Sequence, residues 1–111
     1  MAGKYEIYKD KRGEHRFSLK AGNGETILTS EGYSSKTSCQ NGVASVQKCA
    51  AMEAQYERKE AKNGKHYFVL KAKNHQIIGQ SQMYDSAVSM QNGIQSVMKN
   101  GPSDRIEDKT G

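Results

Sequence analysis

GEHRFSLKAGN at residues 13–23 and GKHYFVLKAKN at residues 64–74 are two versions of one segment. In the first, His15, Phe17, Leu19 and Ala21 share one parity, and Arg16, Ser18 and Lys20 the other. That is the alternation of a half-buried strand. Working outward, a shift of 51 residues lays 5–50 on 56–101 without a gap, with 21 identities in 46 positions. The chain is a tandem duplication, and its fold must be one that two copies build together.

Each copy reads as three strands and a helix. Tyr5, Ile7 and Tyr8 form a β-prone run, followed by a polar turn in which Gly13, and Gly64 in the second copy, can supply a positive φ. In the second copy Tyr67 and Val69 occupy the outward positions of the central strand, so that face is expected to be partly covered by the other repeat. Residues 22–24 and 73–75 mark tight hairpins, and 25–30 and 76–81 third strands.

After Tyr33 the period becomes helical. Ser34 or Ser35, and Asp85 or Ser86, can act as N-caps. Cys39, Val43, Val46 and Ala50, with Met90, Ile94, Val97 and Gly101, make one apolar stripe per helix. Asn41-Gly42 and Asn92-Gly93 are ordinarily hairpin signals, yet the apolar register continues across them. A mid-helix Gly costs about 1 kcal/mol against Ala, and close backbone contact with a strand would explain it. Asn100-Gly101-Pro102 is a stop, with Gly101 suited to a C-cap; the first helix can run a turn beyond Ala50. Residues 106–109 are expected to form a closing strand equivalent to the one after the first helix.

The apolar content decides how the copies relate. Leu, Ile, Val and Phe number only 16 of 111 residues, seven in the first repeat, eight in the second and Ile106 last. Units this small and this poor in apolar side chains do not stabilise themselves alone. The expected fold is α+β: two tandem β-β-β-α repeats, 1–53 and 54–111 with a C-terminal tail, around a shared core with pseudo-twofold symmetry.

Two gapless copies of Gly-x-His-x-Phe-x-Leu-Lys-Ala, then Tyr-x-Ser and Gln-Asn-Gly-(Val/Ile)-x-Ser-Val-x-Lys, resemble the YegP-like family of small bacterial proteins in its duplicated form. The resemblance spans nearly the whole chain. It implies an α+β fold of β-β-β-α units and a bacterial source, and brings no catalytic or binding residues with it. Cys49-Ala50 departs from the Asn-Gly of the second copy.

Chemistry is narrowed mainly by exclusion. Cys39 and Cys49 lie ten apart in one helix, about 15 Å along its axis, too far for a disulfide. Cys39 reads as a packed thiol, and the absence of Cys-x-x-Cys spacing suggests a reducing compartment. His15 and His66 would bind a metal or sense pH only if symmetry brought them together; a ring nitrogen satisfying a loop carbonyl is the plainer role. Gln40-Asn41 and Gln91-Asn92 read as capping or strand-bonding amides, with recognition of a base or peptide as the sharper alternative. Tyr33 and Tyr84 read as hydrophobic staples. Glu6 and Glu57 read as exposed strand carboxylates beside lysines.

No phosphate loop, nucleophile elbow or His-Glu-x-x-His occurs, so the chain is expected not to be an enzyme and to need no cofactor. The net charge is +5 and the pI about 9.2. Arg58, Lys59, Lys62, Lys65, Lys71 and Lys73 concentrate the excess and, with Tyr67 interleaved, are the candidate polyanion-binding face. No run of 18 apolar residues exists and the first residues lack a signal-peptide stretch, so a cytoplasmic monomer without membrane contact is expected. The functional expectation is a non-catalytic binding module with a protein partner, working through sheet edges or the basic face. Weak nucleic-acid binding is the alternative.

Overall fold

The computed structural model describes residues 3–110. Among them, seven strands form one sheet: β1 Lys4–Lys9, β2 His15–Lys20, β3 Thr26–Thr29, β4 Tyr56–Glu60, β5 His66–Lys71, β6 Ile77–Gln80 and β7 Ile106–Asp108. Helices α1 (Lys36–Cys49) and α2 (Ala87–Asn100) follow β3 and β6, and a 3-10 turn at Glu53–Gln55 leads from α1 into β4. Among the described residues no helix is long and apolar enough to cross a membrane.

The strand order is β4-β5-β6-β3-β2-β1-β7. All pairings are antiparallel except β1 with β7. The hairpin turns need left-handed residues, and Gly13, Gly24 and Gly64 supply φ of 80°, 88° and 82°. At the position matching Gly24, His75 takes φ 71° instead. Bulges at Leu19/Lys20 and Leu70/Lys71 interrupt the register, and opposite the first of them two successive residues, Ile27 and Leu28, are both buried.

Both helices cover one face of the sheet, and the two repeats share a single core. Each helix lies over strands of both repeats, α1 on β2, β5 and β6, and α2 on β5, β2 and β3. Polar bonds cross as well: Tyr5 Oη donates to the Gly101 carbonyl at 2.5 Å, and Tyr56 Oη to the Ala50 carbonyl at 2.6 Å. Burial pushes both phenols up from their ordinary pKa, so they remain donors.

Ser35 and Ser86 are the N-caps, each accepting from the amide three residues on. The helices run unbroken through Asn-Gly, as the apolar register implied. The close neighbour of each glycine is an aromatic side chain rather than strand backbone: a Cβ on Gly42 would sit 2.6 Å from Tyr33 Oη and 3.0 Å from Phe17 Cε2. Tyr33 stacks on Phe17 with centroids 6.3 Å apart, and Tyr84 on Phe68 at 6.4 Å, so these tyrosines cover the core and seat the helix.

Some local expectations are corrected. Helix α1 ends at Cys49, and the extra turn is the separate 3-10 segment. Gly101 is the C-cap of α2, as expected, and is right-handed (φ −59°); what excludes a side chain there is Ala50, whose Cβ lies 2.2 Å from where a Gly101 Cβ would be. The tail does form a strand, but not in a place equivalent to that of β4. After α1 the chain enters the edge position beside β5, whereas after α2 the matching position beside β2 is already held by β1, so β7 docks outside it, parallel. Val69 is only 2% exposed, and its cross-strand neighbours on the helix-free face, Glu57 and Gln80, belong to its own repeat.

Candidate functional site

Because each helix lies across the junction, its flank meets the hairpin of the other repeat. Two related clefts result. One, about 540 Å³, lies between α2 and the β2–β3 hairpin and is lined by Asn23, Asn92, Gln95, Ser96, Lys99 and Asn100 among others. The other, about 450 Å³, lies between α1 and the β5–β6 hairpin, with Ser45, Lys48, Cys49, Met52, Lys73 and Asn74 in its walls. Asn23 Oδ1 accepts from the Glu25 amide at 3.0 Å and Asn74 Oδ1 from the Gln76 amide at 3.1 Å, which holds both side chains in the hairpin turns.

Three helix positions at or beside these flanks are shared by the two repeats, although Asn41 is not among the residues lining the second cleft and Gln95 of the first is matched by Ala44. Asn41, Ser45 and Lys48 match Asn92, Ser96 and Lys99 without change, spaced by four and three so that they run down one side of each helix. Of five buried helix positions, only Gly42/Gly93 and Val46/Val97 are identical; Cys39/Met90, Val43/Ile94 and Cys49/Asn100 differ. The buried positions have varied, Cys49 even to the polar Asn100, while the stripe of Asn, Ser and Lys has not. Asn41 and Asn92 are exposed, and among the described residues neither side chain has a hydrogen-bond partner. Capping or strand bonding therefore does not account for them; Gln91 alone of the four amides bonds a strand residue, accepting from Arg58 Nη2 at 2.7 Å. Sequence reading missed the Ser45 and Lys48 stripe and the hairpin asparagines. Their signal was repeat identity at outward helical spacing.

The six basic candidates do not share one face. Arg58 points to the helix side, near Gln91 and 3.8 Å from Glu53. Lys59 and Lys71 lie on the helix-free face beside Glu57 at 3.2 and 2.8 Å, with Tyr67 opposite Lys59. Lys62 and Lys65 sit at the β4–β5 turn, Lys65 3.3 Å from Asp85, and Lys73 at the hairpin on the opposite end of β5.

Glu6 is buried rather than exposed, with Lys4, Lys20 and Lys109 each 3.4 Å away. Desolvation raises its pKa, but hydrogen bonds from Lys109 and Lys4 outweigh this and hold the carboxyl below the usual range. A depression of about 540 Å³ over the β3–β6 junction includes Arg16, already held by Asp10 at 2.8 Å and by the Ser30 carbonyl at 3.2 Å.

His15 and His66 do not meet. They lie on β2 and β5, three strand spacings or about 14 Å apart across the sheet. Their backbones bridge to Tyr33 and Tyr84, while His15 Nδ1 is buried without a partner, so the ring nitrogen satisfies no loop carbonyl. Both cysteines are buried and unbonded to each other, and burial pushes the Cys39 thiol up.

One sheet shared by two fused β-β-β-α repeats, with two related clefts in its helix layer, defines the class: a tandem-repeat α+β protein. The model of the domain of unknown function DUF1508 matches residues 10–57 and again 61–108, the same 51-residue shift. The UPF0339 protein YegP of Escherichia coli is 57% identical over 110 residues, covering 99% of this chain and 100% of that protein. The solution NMR structure of yegP from E. coli, a protein of unknown function, matches with a TM-score of 0.95 at 58% identity, covering 100% of this chain and 96% of that one. That of a UPF0339 protein from Shewanella oneidensis matches at 0.93 and 54%, covering 99% and 93%. The chain belongs to the YegP-like, UPF0339 family.

Proposed function

We propose that the chain is a non-catalytic binding module with two related sites, one in each helix–hairpin cleft. The observation that carries this reading is the outward stripe Asn41-Ser45-Lys48, repeated as Asn92-Ser96-Lys99 where the core beneath has changed. Asn in mid-helix is less favourable than Ala by up to about 0.7 kcal/mol, so retaining it twice without an internal partner points outward. The test is an NMR screen of the labelled chain against short peptides, nucleotides and sugar acids. Shifts gathering at the clefts, and lost in the Asn41→Ala, Lys48→Ala, Asn92→Ala, Lys99→Ala variant, are the expected result. Shifts confined to other surfaces, or none from any compound class, would count against it.

Weak polyanion contact is the second reading, supported by Lys59, Lys71 and Tyr67 sharing the helix-free face. Glu57 stands between the two lysines, and salt-dependent retention on heparin that drops in Lys59→Gln, Lys71→Gln tests it.

A further inference from the structure

We propose that the two clefts take an acidic polypeptide segment, its backbone on the cleft amides and its carboxylate on the lysine; this rests on the binding-module reading. The charge is set by the walls. Lys99 in the first cleft and Lys48 and Lys73 in the second have no carboxylate within 4.0 Å among the described residues; outside the clefts this holds only for Lys9, Lys11 and Lys62, and the other seven lysines are paired. Neither cleft is lined by Asp or Glu, so nothing in the walls opposes an anion.

The amides set the rest of the ligand. Asn92 and Gln95 each offer a donor and an acceptor, the complement of a peptide group. The oxygens of Asn23 and Asn74 are taken by the hairpin amides; this leaves the Asn23 NH2 to donate to a ligand oxygen, while the Asn74 NH2 also donates to Gln76 Oε1 at a long 3.5 Å that a ligand oxygen would have to displace. Asn92 and Lys99 are seven residues apart, two helical turns or about 10 Å, which three extended residues span.

A nucleotide also joins hydrogen-bonding edges to an anion, but proteins that hold unpaired bases stack them on aromatic rings, and neither cleft has an aromatic wall. The clefts are not identical. The second has two lysines and the half-exposed Met52 but no helix amide in its wall, with Ala44 where the first has Gln95, so it should hold the segment more by charge and apolar contact, most of all where an aliphatic side chain adjoins the acid.

The test is a titration of the full-length labelled protein with acetyl-Ala-Glu-Ala-amide, acetyl-Ala-Gln-Ala-amide and adenosine monophosphate. The Glu peptide should shift the backbone amides of Asn23, Ser96 and Lys99 and of Ser45, Lys48 and Asn74. The Gln peptide should bind about five-fold more weakly, as loss of one exposed charge pair predicts. Lys99→Met should weaken binding at the first cleft only, by about the same five-fold factor, and Lys48→Met weaken that of the second only, each variant using the other cleft as evidence that the fold is intact. Equal binding of the two peptides, or shifts indifferent to Lys99→Met, would overturn the proposal. Adenosine monophosphate moving the clefts where the Glu peptide does not would overturn the acidic-peptide assignment and leave the binding module standing. Silence from every compound, here and in the wider screen, would remove both.

Discussion

Thr29 on β3 and Gln80 on β6 face each other as the residue pair that joins the two halves of the sheet, and they occupy the same position in the two repeats, 51 residues apart. A position that pairs with its own counterpart must lie on the pseudo-twofold axis. Ala50 and Gly101, also 51 apart, meet on the helix side. The axis therefore runs from Thr29/Gln80 through the core to the helix ends, where the cross-repeat bonds from Tyr5 and Tyr56 also converge.

Gly101→Ala tests that meeting point. The new Cβ would lie 2.2 Å from Ala50 Cβ in packed surroundings, and overpacking of this kind costs about 1–3 kcal/mol. Because the two positions are symmetry mates, Ala50→Gly with Gly101→Ala exchanges them and should recover most of the loss. Urea denaturation of the single and double variants measures the coupling.

Gly42→Ala should destabilise the protein although Ala is the better helix former by about 1 kcal/mol. Tyr33 Oη and Phe17 Cε2 stand 2.6 and 3.0 Å from the added carbon, and the stacked ring has little room to retreat. An expected net loss of about 1–2 kcal/mol follows. Tyr33→Leu should largely erase it in the double variant. A rise in melting temperature for Gly42→Ala alone would show that the ring yields.

His75→Gly should act in the other direction. His75 holds φ 71° in the hairpin position that Gly24 fills in the first repeat. A left-handed conformation costs a non-Gly residue about 1 kcal/mol, so the variant should be stabilised by up to that amount in a thermal or urea melt.

Much of this was legible in the chain, and the remainder shows what periodicity cannot carry. Parity placed Phe17 and Leu19 on the core face, and the helical stripe carried α1 through Asn41-Gly42 against the local hairpin signal. Too few apolar residues per repeat pointed to a shared core. What stayed hidden depended on the third dimension. Tyr33 against Gly42 is a contact between a loop side chain and a helix backbone, which no period encodes. Glu6 looked exposed because its burial is made by three lysines from β1, β2 and the tail. The clefts join a helix of one repeat to a hairpin of the other, and no single repeat shows them. Only comparison of the repeats at outward positions exposes their residues.

Glu6 gives the structure an acid-side weakness. Its folded carboxyl titrates below the ordinary value, so the ionised form is favoured by folding. The stabilisation is complete above the ordinary carboxylate pKa of about 4.3 and is lost as pH falls through the folded value. Asp108, held down first by its close ion pair with Lys36, acts in the same sense; Glu6 ties the tail to the sheet through Lys109, and Asp108 ties it to the start of α1. Glu6→Gln should lower stability by about 1 kcal/mol at pH 7 and by progressively less toward pH 3, measured as urea midpoints across that range. A difference that stayed constant with pH would assign Glu6 a packing role alone.

The outer edge of β4 invites the last prediction. Its counterpart β1 accepts a strand: Tyr5 N–H donates to the Arg105 carbonyl at 2.9 Å and Lys109 N–H to the Ile7 carbonyl at 2.8 Å as β7 adds alongside. On β4 the Tyr56 amide is taken by the Glu53 carbonyl within the 3-10 turn, and from Arg58 onward no strand adds outside it among the described residues. Four consecutive charged residues, Glu57, Arg58, Lys59 and Glu60, occupy this edge, the arrangement that discourages edge-to-edge pairing because a second copy would bring its own desolvated charges. Arg58→Val, Lys59→Thr, Glu60→Val removes three of them and leaves a β-prone strand. The variant should associate with rising concentration in sedimentation velocity while the parent chain does not. A variant that sedimented like the parent at every concentration would show that the charges are not what keeps this edge free, and that the turn at Glu53–Gln55 blocks it sterically instead.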